Sequence, residues 1–216
     1  MRVRVPPANP FDEIQELAVA IRKWPNSTQL HVGLLYKADA TQVMLCHLRT
    51  HFDFRNELPS ADYRWLQSGL DRLNRDLIAA YCQLIVRRKD RIPFGFQFSG
   101  EYFSPVSGEY LRSGMGEGLT CSTFILAVHR SLGLELLICD EWPKRPDDID
   151  WQIEMASKLN PWVGDAAARH IGDVRFRPEE VAAGVASRDT PLKFQTAELL
   201  AKSIVRSLDR SYPKSK

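Results

Sequence analysis

Apolar positions along this chain recur with two different spacings, and the changes between them mark its elements. From Asn9-Pro10, the residues Phe11, Ile14, Leu17, Ala18 and Ile21 fall three or four apart, which predicts a helix to about Lys23 with Asn9 as cap and Pro10 at its first position. Trp24-Pro25-Asn26-Ser27 ends it. Thr28 to Lys37 and Thr41 to Thr50 are rich in Leu, Val and aromatic or sulfur side chains, and Ala38-Asp39-Ala40 separates them; this predicts a β-hairpin. Asp53 to Pro59 is polar and predicts a loop. Ser60 then caps a long helix, from about Ala61 to Arg87, built on Leu66, Leu70, Leu73, Leu77, Tyr81, Leu84 and Ile85.

Residues 92–118 are rich in Gly, Ser, Pro and aromatic side chains, with Phe94, Phe96, Phe98, Tyr102 and Phe103 clustered; they predict a strand-like or irregular wall. Gly114, Gly116 and Gly118 then give a flexible approach to a helix opened by Thr120 or Cys121. Phe124, Ile125, Val128 and Leu132 lie on one face of it, and Gly133 can close it in a left-handed cap. Leu134 to Cys139 is a short buried strand or the end of the helical region, and Asp140 to Asp148 is a loop. Further helices are predicted over Ile149 to Leu159 with Trp151 facing inward, from Arg177-Pro178-Glu179-Glu180 to Ala186, and over Thr196 to Leu208. The expected fold class is α+β: one domain over residues 1–216, a small antiparallel sheet begun by the hairpin, the Cys121 helix packed across it and the long helix outside.

Composition narrows the function. With 216 residues, 44% of them hydrophobic and 26% charged, the chain can bury a full core, and its net charge of +2, spread evenly, argues against a nucleic-acid groove. Cys46, Cys82, Cys121 and Cys139 form no CxxC pair, which argues for free thiols rather than a zinc ribbon or disulfide framework. The N-terminal residues lack the apolar core of a secretory signal, and the longest apolar-rich run, Leu77 to Val86, is broken by Gln83 and too short for a bilayer. A cytoplasmic chain without a membrane span is expected.

The candidate chemistry centres on Cys121. In the first turn of a helix, free backbone N–H groups and the positive end of the dipole favour a thiolate there. Pairing the hairpin symmetrically about Asp39 sets His31 opposite His47 on one sheet face, with Gly33 beside them leaving room for a helix or substrate. A nucleophile (Cys121), a base (His31) and a group that orients the base (His47) are the three parts of activated cysteine catalysis. His51 shares the face of His47 and is an alternative orienter or an exposed strand-end residue. His129 lies two turns beyond Cys121, too far to meet the thiol, and His170 is expected at the surface. Cys46 points to the opposite face as a core residue, while Asp39 and Glu117 are solvated carboxylates. His31, His47, His51 and Cys46 or Cys121 are suitable zinc ligands by type, but their spacing matches no common structural-zinc pattern.

His31 in Leu30-His31-Val32-Gly33-Leu34-Leu35-Tyr36, a second His on the next strand and a Cys opening a downstream helix together resemble the circularly permuted branch of the NlpC-type, papain-like cysteine hydrolases. That branch includes YiiX-like bacterial proteins and the lecithin:retinol acyltransferase group. The order His, polar residue, Cys is that of the permuted branch. The resemblance covers roughly Leu30 to Leu48 and Gly116 to Leu132. It implies a papain-like fold and a peptide-like or acyl substrate such as a peptidoglycan amide. It further implies Cys121 as nucleophile, His31 as base and His47 as orienter, with neither cofactor nor metal. Where the acyltransferases carry Asn before the Cys and Glu-His after it, this chain has Thr120, Ser122 and Thr123, which favours hydrolysis over acyl transfer. The other readings are a non-catalytic binding or immunity-type module on the same fold, and a thiol acyltransferase or lipid hydrolase.

Overall fold

A computed structural model describes residues 1–24, 27, 29–112, 114 and 117–212; Pro25, Asn26, Thr28, Met115 and Gly116, for which turn, strand or approach roles are expected, lie outside the described residues. The structure is α+β. Strands β1 (Leu17–Lys23), β2 (Leu30–Lys37), β3 (Val43–Leu48), β4 (Phe54–Glu57) and β5 (Arg64–Gln67) form one antiparallel sheet in the order β4-β3-β2-β1-β5. Of the helices α1 (Arg72–Arg88), α2 (Cys121–Arg130), α3 (Asp147–Ser157), α4 (Pro161–Ala168), α5 (Pro178–Ala186) and α6 (Phe194–Ser211), α1, α2 and α5 pack against it, α6 packs on α5, and α3 pairs with α4.

One sheet face carries Val19, Ile21, Val32, Leu34 and Cys46 into the main core, where Ile78 of α1, Phe124 and Val128 of α2 and Val181 of α5 meet them. The other face carries Ala18, Ala20, Leu35 and Leu45, covered by Ile14, Tyr63 and Trp65. His31, Gly33 and His47 alternate with the core residues and so belong to this second face. No described helix is long and apolar enough to cross a membrane.

The hairpin and the helices at Cys121, Pro178 and Phe194 stand where the patterning predicts, and Gly133 has φ +73° just beyond α2. Three expectations are corrected. The predicted N-terminal helix is a single 3-10 turn, Phe11–Glu13, followed by β1; residues 17–21 are buried on both faces, and a continuous apolar run satisfies a helical spacing as readily as that of a central strand. The long helix from Ala61 divides into β5 and α1, whose cap is Asp71, its side chain accepting from Asn74 N–H at 2.9 Å. Its buried stripe is Ile78, Tyr81, Cys82 and Ile85, while Leu73 and Leu77 are exposed. The polar loop at 53–59 contains edge strand β4, and α4, capped by Asn160, has no counterpart among the predicted elements.

Candidate active site

Cys121 is the first residue of α2. Thr120 caps the helix: its Oγ1 accepts from Thr123 N–H at 3.2 Å, and Thr123 Oγ1 accepts from Thr120 N–H at 2.7 Å. The cap is fixed from behind by Leu119, whose N–H donates to Pro93 O at 2.9 Å, and by Gly118, where a Cβ would meet the backbone of Phe94 at 2.4 Å. Gly118 thus permits close packing rather than flexibility. Burial pushes the Cys121 thiol up, against opposing contributions from the N–H groups of Val32 and Ser122, the Ser122 side chain and Arg175. The helix start therefore does not bring the Cys121 thiol below its ordinary range.

The hairpin register differs from symmetry about Asp39 by two residues. Leu34 pairs with Cys46 and Lys37 with Val43, so His47 lies level with Gly33 rather than His31. A two-residue shift preserves the face, and the rings meet diagonally: Nε2 of His31 stands 2.7 Å from Nδ1 of His47. Gly33 makes room for His47, since a Cβ there would lie 2.8 Å from the His47 Cβ. Both histidines are buried, flanked by Tyr63, whose hydroxyl is 3.5 Å from His47 Nδ1, and by Trp24, edge-on to His31 at 5.5 Å.

A fourth member, which no motif in the sequence marks, completes the row. Glu57 on β4 places Oε1 3.2 Å from His47 Nε2. An ionised carboxylate only accepts, so His47 Nε2 carries the proton and His47 Nδ1 accepts. His31 Nε2 must then donate, leaving a lone pair on His31 Nδ1, the tautomer a base needs. Among the described residues His31 Nδ1 makes no hydrogen bond. Burial, then the neighbouring His47, Arg22 and Arg49, hold His31 well below its ordinary range; burial also lowers His47 to about 4 despite Glu57. Both rings are neutral at pH 7.

His31 and Cys121 line one cavity of about 600 Å³. Trp24, Arg49 and His51 line it too, as do Trp151 and Met155 of α3 and Leu159 just after that helix. No hydrogen bond joins Cys121 Sγ to His31 among the described residues. His51 does not orient His31; its Nδ1 accepts from Phe94 N–H at 3.1 Å. His129 is fully buried, with Nδ1 2.9 Å from Ile125 O, and does not reach the cavity. His170 is half-buried and pairs with Asp173 at 3.0 Å. Cys46 lies in the core beside Cys82, as its strand face requires. Asp39 caps the hairpin turn by accepting from Thr41 and Gln42, and Glu117 accepts from Gly114 N–H. Among the described residues, no three His, Cys, Asp or Glu side chains converge as a metal site would require.

No protein-family model, no curated protein and no solved structure matches this chain.

Proposed function

We propose that this chain is a cysteine hydrolase with a papain-like arrangement of its catalytic parts, cleaving an amide such as that of a peptide or a peptidoglycan cross-peptide. The observation that carries the reading is the row Glu57, His47, His31, whose tautomers leave a lone pair on His31 Nδ1, together with one cavity that both His31 and the helix-opening Cys121 line. His31 Nδ1 takes the thiol proton as the sulfur bonds to the substrate carbonyl carbon. The carbonyl oxygen gains the electron pair and is received by N–H groups of the first turn of α2, that of Cys121 first. When the carbon–nitrogen bond breaks, the imidazolium returns the proton to the leaving amine. Water, deprotonated by His31, then attacks the thioester, releasing a carboxylic acid and restoring the thiol. His47 holds the ring and Glu57 holds His47, so charge formed on His31 is met by a carboxylate one ring away.

A p-nitrophenyl ester tests this. Wild type should release nitrophenolate with a burst and carry a hydroxylamine-sensitive acyl group on Cys121, and Cys121→Ala should do neither; equal release by both would overturn the reading. The raised thiol favours the second reading, a binding module that keeps the fold without turnover, for which the burst would be absent.

A further inference from the structure

Two guanidinium groups stand beside the cavity on a single indole. Arg22 lies 5.1 Å and Arg49 5.7 Å from the Trp24 ring, Arg22 also covers the Tyr63 ring at 4.6 Å, and Trp24 is edge-on to His31. Like charges brought together disfavour one another unless an anion joins them. The carboxylates nearby are engaged elsewhere: Asp53 holds Arg55 at 2.7 Å and reaches Arg49 only at 3.8 Å, Glu57 binds His47, and Glu154 of the cavity lining pairs with Lys158. The Nε atoms of Arg22 and Arg49 are buried without a hydrogen-bond partner among the described residues. Arg49 itself lines the cavity together with Cys121 and His31, and the lining is apolar at Trp151, Met155 and Leu159. Arg175, the other cavity arginine, is already bonded to Asp148 at 3.0 Å.

We propose that Arg49, with Arg22 behind it, is the subsite for a carboxylate carried by the substrate close to its scissile carbonyl, so that the preferred substrate is an acidic peptide or acyl amide whose apolar portion lies along Trp151, Met155 and Leu159. The charge attracts the carboxylate, and the indole holds the guanidinium plane in place to meet it. This rests on the hydrolase reading of Cys121.

Two alkylating agents of nearly equal size separate the claims: iodoacetamide is neutral and iodoacetate carries a carboxylate. The probe is the rate of Cys121 modification, with glutathione as the reference thiol. Relative to glutathione, wild type should favour iodoacetate over iodoacetamide by about tenfold, Arg49→Gln should lose that preference, and Arg49→Lys should keep most of it. An iodoacetate-to-iodoacetamide ratio that is the same in wild type and Arg49→Gln overturns the subsite while leaving the hydrolase reading intact. A Cys121 that reacts with neither agent faster than glutathione overturns the hydrolase reading itself.

Discussion

His47 faces His31 across 2.7 Å through Nδ1, and because its Nε2 is committed to Glu57, its role toward His31 is that of acceptor. That single commitment fixes which nitrogen of His31 is free. Removing the acceptor should therefore cost alignment, whereas removing the base or the sulfur should end the reaction. His47→Ala should lower kcat about a hundredfold with KM little changed, while His31→Ala and Cys121→Ser abolish turnover. Equal losses for all three in steady-state kinetics would show that His47 is itself indispensable to the chemistry.

Glu57 acts one step further back. Glu57→Leu should lower kcat about tenfold, and Glu57→Gln, which keeps a carbonyl oxygen for His47 Nε2–H, should recover most of it. Nitrogen NMR of the two rings reads the tautomers directly. A proton on His31 Nδ1 in wild type would contradict the assignment.

Gly33 is the residue that lets the imidazole pair form. A methyl group there meets both the His47 Cβ and Leu45 Cδ1 at 2.8 Å. Gly33→Ala should destabilise the fold by about 1–3 kcal/mol and lower turnover, read by thermal melting and kinetics on the same preparation. An active variant of unchanged Tm would mean that the sheet relaxes more easily than this packing suggests.

Acid should weaken the fold. His47 and His129 are each lowered by burial to about 4 from an ordinary 6.5, so the unfolded chain binds their protons first as pH drops. Their contribution is complete above about pH 6.5 and declines toward pH 4. For His129, whose Nε2 has no partner among the described residues, the gap corresponds to about 3 kcal/mol. Urea titrations at pH 7 and pH 4 should show this difference, and His129→Leu should narrow it; an undiminished gap in the variant would assign acid lability to other groups.

Buried charge anchors the first turn of α3. Asp148, 2% exposed, accepts from Arg145 Nε at 2.8 Å, Arg175 Nη1 at 3.0 Å and Arg177 Nε at 2.9 Å, and Glu180 also pairs with Arg145. Asp148→Asn leaves these cations undercompensated and should destabilise by about 3–5 kcal/mol in urea melts.

What the sequence disclosed follows from where side chains are constrained on one face only. The Cys121 helix was legible because Thr120 can open it and Gly133 close it around Phe124, Ile125, Val128 and Leu132 at helical spacing. The histidine pair was legible because alternation fixes the face of a strand residue, and it survived an error in register because a shift of two leaves the face unchanged. β1 was misread because burial on both faces erases the alternation. Glu57 was hidden because β4 is a four-residue edge strand whose Arg, Asn and Glu look like a loop; its one signal was Phe54 and Asn56 alternating with Arg55 and Glu57.

Activation of Cys121 by His31 is read from the rate of Cys121 alkylation by iodoacetamide across pH, in wild type and His31→Ala. Cys139 serves as the internal control, being likewise half-buried, with burial raising its thiol to about 11. At pH 7 Cys121 should react at least about a hundredfold faster than Cys139, and His31→Ala should remove the advantage. A Cys121 that alkylates no faster than Cys139, or as fast without His31 as with it, would show that His31 does not activate the thiol.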